Sequence, residues 1–241
     1  ESSTDPLSDV ETIRTELVLA DLGTLEHALP RLEKEAKKDK ANQPKFAAAQ
    51  RMEAWLDEGR PARTLEMTDE ERELLYDLHL MTMKPVMYVA NVDEDDVAAQ
   101  LDPIDGVVPL PICAQVEAEL AELEDDEKAE FLADLGLAES GLARLAKEAY
   151  RLLGLQSFFT AGEMEVKAWT IPIGAKAPQA AGVIHTDFER GFIKAETASY
   201  DDYVRYNGEA GCREKGRLRQ EGKDYVVQDG DVMHFKFNVS K

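Results

Sequence analysis

The side chains that could do chemistry fall in two places. Asn91 and Glu94 close a short apolar run, Lys84-Pro-Val-Met-Tyr-Val-Ala-Asn91-Val-Asp-Glu94. A carboxamide at the end of such a run can both accept from and donate to the edge of a nucleobase. Near the C-terminus, Arg213, Lys215, Arg217, Arg219 and Lys223 lie within eleven residues. Cations so close together suit phosphate contacts. Glu214, Glu221 and Asp224 are interleaved with them, so a solvated loop and an RNA surface are both open readings.

Other chemistries have no sequence to carry them. The pattern GxxxxGK followed by Ser or Thr does not occur; Gly222-Lys223 comes nearest, and Asp224 follows it. GxGxxG is also absent, so these residues offer no phosphate cradle. No GxSxG elbow or Cys–His pairing points to a nucleophile. Cys113 and Cys212 lack CxxC neighbours, and His27, His79, His185 and His234 are scattered without HExxH spacing. A His or Cys metal site is therefore not expected. His185 and His234 read as makers of local hydrogen bonds. Trp169, Phe188 and Phe192 read as core rather than stacking platforms. Cys212 stands in a Gly-rich loop, and its reactivity is open.

The chain has 241 residues, with 28 Lys and Arg against 49 Asp and Glu, net -21. Such a charge repels DNA and anionic membranes on average. The distribution is uneven. Ser157 to Lys241 holds 12 basic and 13 acidic residues, whereas the preceding part holds 16 and 36. That asymmetry predicts two modules with different partners. A content of 44% hydrophobic and 32% charged residues suits globular structure. No apolar run is long enough for a bilayer, and two cysteines suit a reduced, cytoplasmic protein.

The elements that must position these residues can be read from periodicity. Residues 9–38 have helical spacing, with a bend or break predicted at Gly23 and Pro30. Asn42 and Pro44 read as the cap and first turn of a second helix. Thr68 to Glu71 is a capping box ahead of Leu74, Leu75 and Leu78. Together these predict an antiparallel helical hairpin. The runs 85–91 and 107–113 read as strands, followed by helices over 116–123 and from Ser140, with Gly154 at C′. This is α/β grammar, although two strands are too few for a whole doubly wound domain. Beyond Leu155, strands are predicted at 166–171, 192–198, 225–227 and 232–237, with a short helix at 178–184. Asp229-Gly230-Asp231 reads as the tight turn between the last two strands.

Several segments are similar to the YchF (Obg-like ATPase) family. They are Asp5-Pro-Leu-Ser-Asp-Val-Glu-Thr-Ile13, Thr15-Glu-Leu-Val-Leu-Ala-Asp-Leu22, the 84–94 run, Gln156-Ser-Phe-Phe-Thr-Ala-Gly162, Ala168-Trp-Thr170, Ala181 to Ile193, and Gln228 to Phe235. The resemblance covers essentially the whole chain. It implies a partial G domain (doubly wound α/β) at 1–22 and 85–155, an inserted antiparallel helical hairpin at 23–84, and a TGS domain of α+β, β-grasp fold at 156–241. GTPases read guanine with Asn-Lys-x-Asp at a strand end. Here Asn91 keeps the first place, Val92 replaces Lys, and Glu94 replaces Asp. The resemblance assigns Asn91, Val92 and Glu94 to base binding, together with Cys113 and Ala114 at the fifth motif, where Gln115 departs from the usual Lys. Losing the Asp removes the partner of the guanine amino group, which implies ATP rather than GTP.

The resemblance further implies that the phosphate loop, switch regions and Mg²⁺ ligands lie before Glu1. The intact protein would hydrolyse ATP with Mg²⁺ on the ribosome or ribosomal RNA. The 241-residue chain alone would be an inactive monomer with no catalytic residue of its own. Arg213, Lys215, Arg217 and Arg219 would be the RNA contacts. The alternative is a non-enzymatic ribosome- or protein-binding module.

Overall fold

The computed structural model describes residues 5–162 and 165–238. The chain clusters into two compact units, one up to Pro111 and one from Ile112.

The first unit is built on two helices, α1 (Pro6–Lys38) and α2 (Gln43–Asp57). Asp5 caps α1 by accepting from Ser8 N, with Pro6 in the first turn. The bend or break expected at Gly23 and Pro30 is absent, and α1 runs through both. Proline removes one helical hydrogen bond, but Pro30 lies on the exposed side. On the other side Val18, Leu25 and Leu32 are buried against Ala48, Ala49, Met52 and Leu56 of α2. Burial of that stripe offsets the local cost of proline. Asn42 precedes α2 but makes no capping bond; its Nδ2 instead donates to Glu35 O at 3.4 Å. The short helix α3 (Asp69–Leu75) begins with the expected Thr68–Glu71 capping box.

A buried carboxylate fastens this unit. Asp21, 1% exposed, accepts from Met81 N and Thr82 N at 2.7 Å each and from Thr82 Oγ1 at 2.6 Å. Thr82 Oγ1 in turn accepts from Ala62 N at 2.9 Å. Three chain segments thus meet on one charge whose lone pairs are filled. The unit ends in a two-stranded sheet of β1 (Val89–Asn91) and β2 (Leu110–Ile112), with Leu110 N donating to Tyr88 O. Between them Asp105 and Gly106 make a tight reversal with φ of 51° and 79°. Asp105 also accepts from Arg14 at 2.8 Å and Tyr88 at 3.2 Å.

The second unit opens with α4 (Ala114–Glu122), α5 (Asp125–Asp134) and α6 (Gly141–Leu152). Ser140 caps α6, and Gly154 follows it at φ 64°, as the sequence predicts. Glu117 of α4 accepts from Gly141 N and Leu142 N at 2.6 and 3.2 Å, so a carboxylate faces the positive end of α6.

A five-stranded sheet follows: β3 (Leu155–Ala161), β4 (Val166–Pro172), β5 (Phe192–Ser199), β6 (Arg219–Glu221) and β7 (Asp231–Phe237). Its order is β4-β3-β7-β5-β6, with β3 parallel to β7 and the other pairs antiparallel. Between β4 and β5 run α7 (Ala177–Ile184) and α8 (Thr186–Arg190), and Ala177, Ala180 and Ala181 are buried with Phe158, Phe192 and Met233. Between β5 and β6 run α9 (Tyr200–Arg205) and α10 (Glu209–Glu214). The tight turn expected at Asp229-Gly230-Asp231 forms, with Gly230 at φ 78° and Asp231 N donating to Gln228 O at 3.2 Å, but it joins no hairpin. Residues 225–227 make only an isolated bridge, Val226 to Lys176, while β7 takes β3 and β5 as neighbours. Asp229 instead accepts from Ser157 N, and Gly230 N donates to Ser157 O. Among the described residues no helix is long and apolar enough to cross a membrane.

Candidate functional site

Asn91 is the last residue of β1 and is exposed. Val92 is half-buried, and Asp93 precedes a single 3-10 turn, Glu94–Asp96. Val97 is buried and closes the turn through its N–H to Glu94 O. Asn91 and Glu94 are thus both exposed, and Val97 is buried at the close of the turn. A base edge needs polar groups presented in this way. Cys113 is buried and precedes α4 without a side-chain capping bond; Ala114 is exposed as its first residue.

The C-terminal cations separate into two kinds. Arg213 donates to Glu209 Oε1 at 2.6 Å and lies 3.5 Å from Glu196 Oε2. Arg219 donates through Nε to Glu221 at 3.0 Å, and through Nη2 to Tyr225 Oη at 3.0 Å and Asp231 Oδ1 at 3.3 Å. Both arginines are committed to internal carboxylates. Lys215 and Arg217 are exposed, on the turn after α10, and have no ion-pair partner among the described residues. Glu209 and Glu221 are near in sequence, but Glu196 and Asp231 come from β5 and β7, so spacing alone could not separate the two kinds.

Around Glu209 a second grouping exists that sequence spacing does not reveal. Potential ligand atoms of Glu196, Glu209 and His234 lie within 4.8 Å of one another. Two cations already occupy it: Arg213 faces both carboxylates, and Lys236 Nζ lies 3.5 Å from Glu196 and 3.2 Å from His234 Nε2. The grouping is an ion-pair network on the β5–β7 surface, where a divalent cation would meet charge already balanced. Burial raises the Glu209 pKa, but bonds from His234 and Arg213 outweigh it and the net shift is downward. His185 accepts from Asp187 N through Nδ1 and caps α8, the local role expected of it.

Cys212 is fully buried within α10 rather than in a loop, and burial, reinforced by Asp202, raises its pKa. A thiol so placed is a packing group. Phe192 is buried, Phe188 stacks on Phe237, and Trp169 donates from Nε1 to Thr160 Oγ1 at 2.9 Å. They serve the core, as their spacing suggests.

The Asp231 carboxylate also receives Tyr225 Oη at 2.7 Å. Burial first, then the Asp231 hydrogen bond and charge, push the Tyr225 phenol up to about 12. The folded state thus favours the neutral phenol. Its contribution is complete below the ordinary tyrosine pKa and is lost as pH rises from about 10 toward 12. A urea midpoint measured across that range should fall in the native protein and fall less in Tyr225→Phe. Equal slopes would show that the phenol is not held by Asp231.

The fold finds a match in a solved structure, that of the Schizosaccharomyces pombe YchF GTPase. The TM-score is 0.83 at 33% identity, over 98% of this chain and 67% of that one. This defines the class: a mixed α/β protein with the fold of a YchF GTPase. Residues 155–238 match the family model YchF-GTPase_C, described as a protein of unknown function (DUF933). The ribosome-binding ATPase YchF of Pasteurella multocida is 49% identical over 244 residues, which is 98% of this chain and 67% of the relative. The protein of the same name from Bacillus subtilis is 49% identical over 250 residues, covering 98% and 68%. Obg-like ATPase 1 of Caenorhabditis elegans is 38% identical over 253 residues, covering 99% and 64%. The chain belongs to the YchF family and spans about two thirds of the length of these relatives.

Proposed function

We propose that this chain supplies the base-reading segment and the C-terminal module of a ribosome-associated ATPase. The observation that carries the reading is Asn91 at the exposed end of β1, followed by Glu94 where a guanine reader has Asp. The relatives' names, ribosome-binding ATPase, support it. Residues 1–22 with 85–155 are proposed as part of a G domain, 23–84 as the helical arm, and 156–241 as a TGS domain. The packed pair α1–α2 supports a helical arm, although α1 runs on across the 22/23 boundary, and the order β4-β3-β7-β5-β6, with helices between β4 and β5, supports a β-grasp module.

Asn91, Val92 and Glu94 would take the adenine, with the backbone of Cys113 and Ala114 as the second contact. These residues fit the base alone. Phosphates and Mg²⁺ need a loop from outside these 241 residues. The protein containing that loop is expected to bind ATP at least about tenfold more tightly than GTP, since the guanine amino group would be buried without a partner. Titration of both nucleotides tests this; equal affinities would remove Asn91 and Glu94 from the role.

The 241-residue chain by itself is expected to show no ATP hydrolysis, and release of phosphate by the pure chain would contradict the reading. Ribosome contact is proposed at the C-terminal cations, carried by Lys215 and Arg217 more than by Arg213 and Arg219, whose charges are already paired. The intact protein is proposed to be a cytoplasmic monomer. The absence of a GxxxxGK motif in these residues favours one second reading, a binding module without enzymatic activity. A phosphate loop in the full-length gene product would decide against it.

A further inference from the structure

Toward its C-terminal end, one face of α1 carries three cations and a histidine. His27, Arg31, Lys34 and Lys38 are all exposed. Steps of four, three and four residues place them in one line along the helix. At 1.5 Å per residue the line is about 16 Å long. With Pro30 and Glu35 these residues border a single shallow depression of about 440 Å³.

Three carboxylates nearby, Glu33, Glu35 and Asp77, are paired. Glu35 is half-buried and faces Arg31 at 3.5 Å. Asp77, from the turn after α3, is held by Lys45 at 2.6 Å, and its carboxyl lies below the usual range first through that hydrogen bond and only last through Arg31. Lys37 points to a different side of the helix and bonds Glu33 at 2.6 Å. Lys34 and Lys38 have no ion-pair partner among the described residues.

This line sits on a molecule of net charge -21. A polyanion is repelled by most of such a surface and settles where cations are contiguous. The exposed large apolar residues of α1 are Leu7, Ile13, Leu17 and Leu19, all N-terminal to the line. The stripe itself therefore has no apolar anchor of the kind on which protein interfaces depend. Charge without an anchor suits a phosphate backbone.

We propose that the His27–Arg31–Lys34–Lys38 stripe of α1 is a docking surface for the phosphate backbone of RNA. It is separate from the C-terminal cations named above and rests on the ribosome reading only in taking RNA as the polyanion.

The test uses the 241-residue chain, a short labelled RNA duplex and, as an acidic-protein probe, polyglutamate. The variant Arg31→Gln/Lys34→Gln/Lys38→Gln should bind the duplex at least about tenfold more weakly at low salt. Its plot of log affinity against log salt should flatten by about 2 to 3 units of slope, because three counterions fewer are released. Lys37→Gln/Lys40→Gln, off the stripe, should change binding by less than about twofold. All substituted side chains are exposed, and circular dichroism checks that the helices persist. Duplex binding untouched by the triple variant overturns the proposal. If Lys215→Gln/Arg217→Gln abolishes binding while the triple variant keeps it, the stripe fails and the C-terminal reading stands. Polyglutamate bound as tightly as the duplex, and lost in the same triple variant, would reassign the stripe to an acidic protein.

Discussion

Gly211→Ala should disrupt the α9–α10 corner and cost at least about 3 kcal/mol of stability in the second unit. A Cβ on Gly211 would lie 1.7 Å from Tyr206 O and 2.8 Å from Tyr206 C. Backbone atoms cannot swing away as a side-chain tip can, so α10 itself would have to move. Cys212, the next residue, is fully buried. Displacing α10 would bring its thiol to solvent. Two readings should therefore change together: the urea transition followed by Trp169 fluorescence should move to lower denaturant, and Cys212 should react with a thiol reagent within minutes rather than only on unfolding. Gly182→Ala is the comparison. There the nearest atom is the Glu189 carboxylate at 2.5 Å, which can rotate aside. A Gly211→Ala protein with native stability and a protected thiol would show that α10 is not held against Tyr206 as described.

Asp21→Ala should cost about 3 kcal/mol or more in the first unit. The substitution leaves the amides of Met81 and Thr82 without their acceptor, one of them fully buried. Asp21→Asn should recover little, because its NH2 group would face at least one of the three donors that the carboxylate accepts. Trp55 reports on this unit and Trp169 on the other, and the chain has two tryptophans in all. Loss should appear in the Trp55 transition. An unchanged Trp55 midpoint would mean that the Asp21 bonds contribute nothing net.

The two effects also mark where sequence reading stops. Local signals were legible because their physics is local. The Thr68–Glu71 box and Ser140 with Gly154 each satisfy orphan groups within four residues, and each is found where expected, whereas the Asp5 cap starts α1 ahead of the expected residue 9. Alternation over 166–171 and 192–198 likewise became β4 and β5. The 84–94 run and the C-terminal motifs identified the family through residue identity alone, and the relatives agree.

What tertiary structure decided was every case in which a distant partner outweighed the local preference. Pro30 did not break α1, since the packing of Leu25 and Leu32 on α2 supplies more than one lost hydrogen bond. Asp229-Gly230-Asp231 makes the tight turn its composition suggests, yet it joins no hairpin, because Asp229 and Gly230 bond Ser157, more than seventy residues earlier. Helices α5, α9 and α10 are short and periodicity did not reveal them, although a Glu124–Glu127 capping box precedes α5 and Ser199 caps α9. Asp21 looked like one more acid on a charged helix; only the return of residues 81–82 to α1 made it a buried anchor. The five C-terminal cations formed one cluster in sequence. In space, Glu209, Glu196 and Asp231 neutralise Arg213 and Arg219 and leave Lys215 and Arg217 exposed. Sequence determined the family, the caps and the strand faces, because those depend on neighbours along the chain. Which charges remain available to a partner depends on carboxylates brought together by sheet pairing and helix packing, and only the fold could decide it.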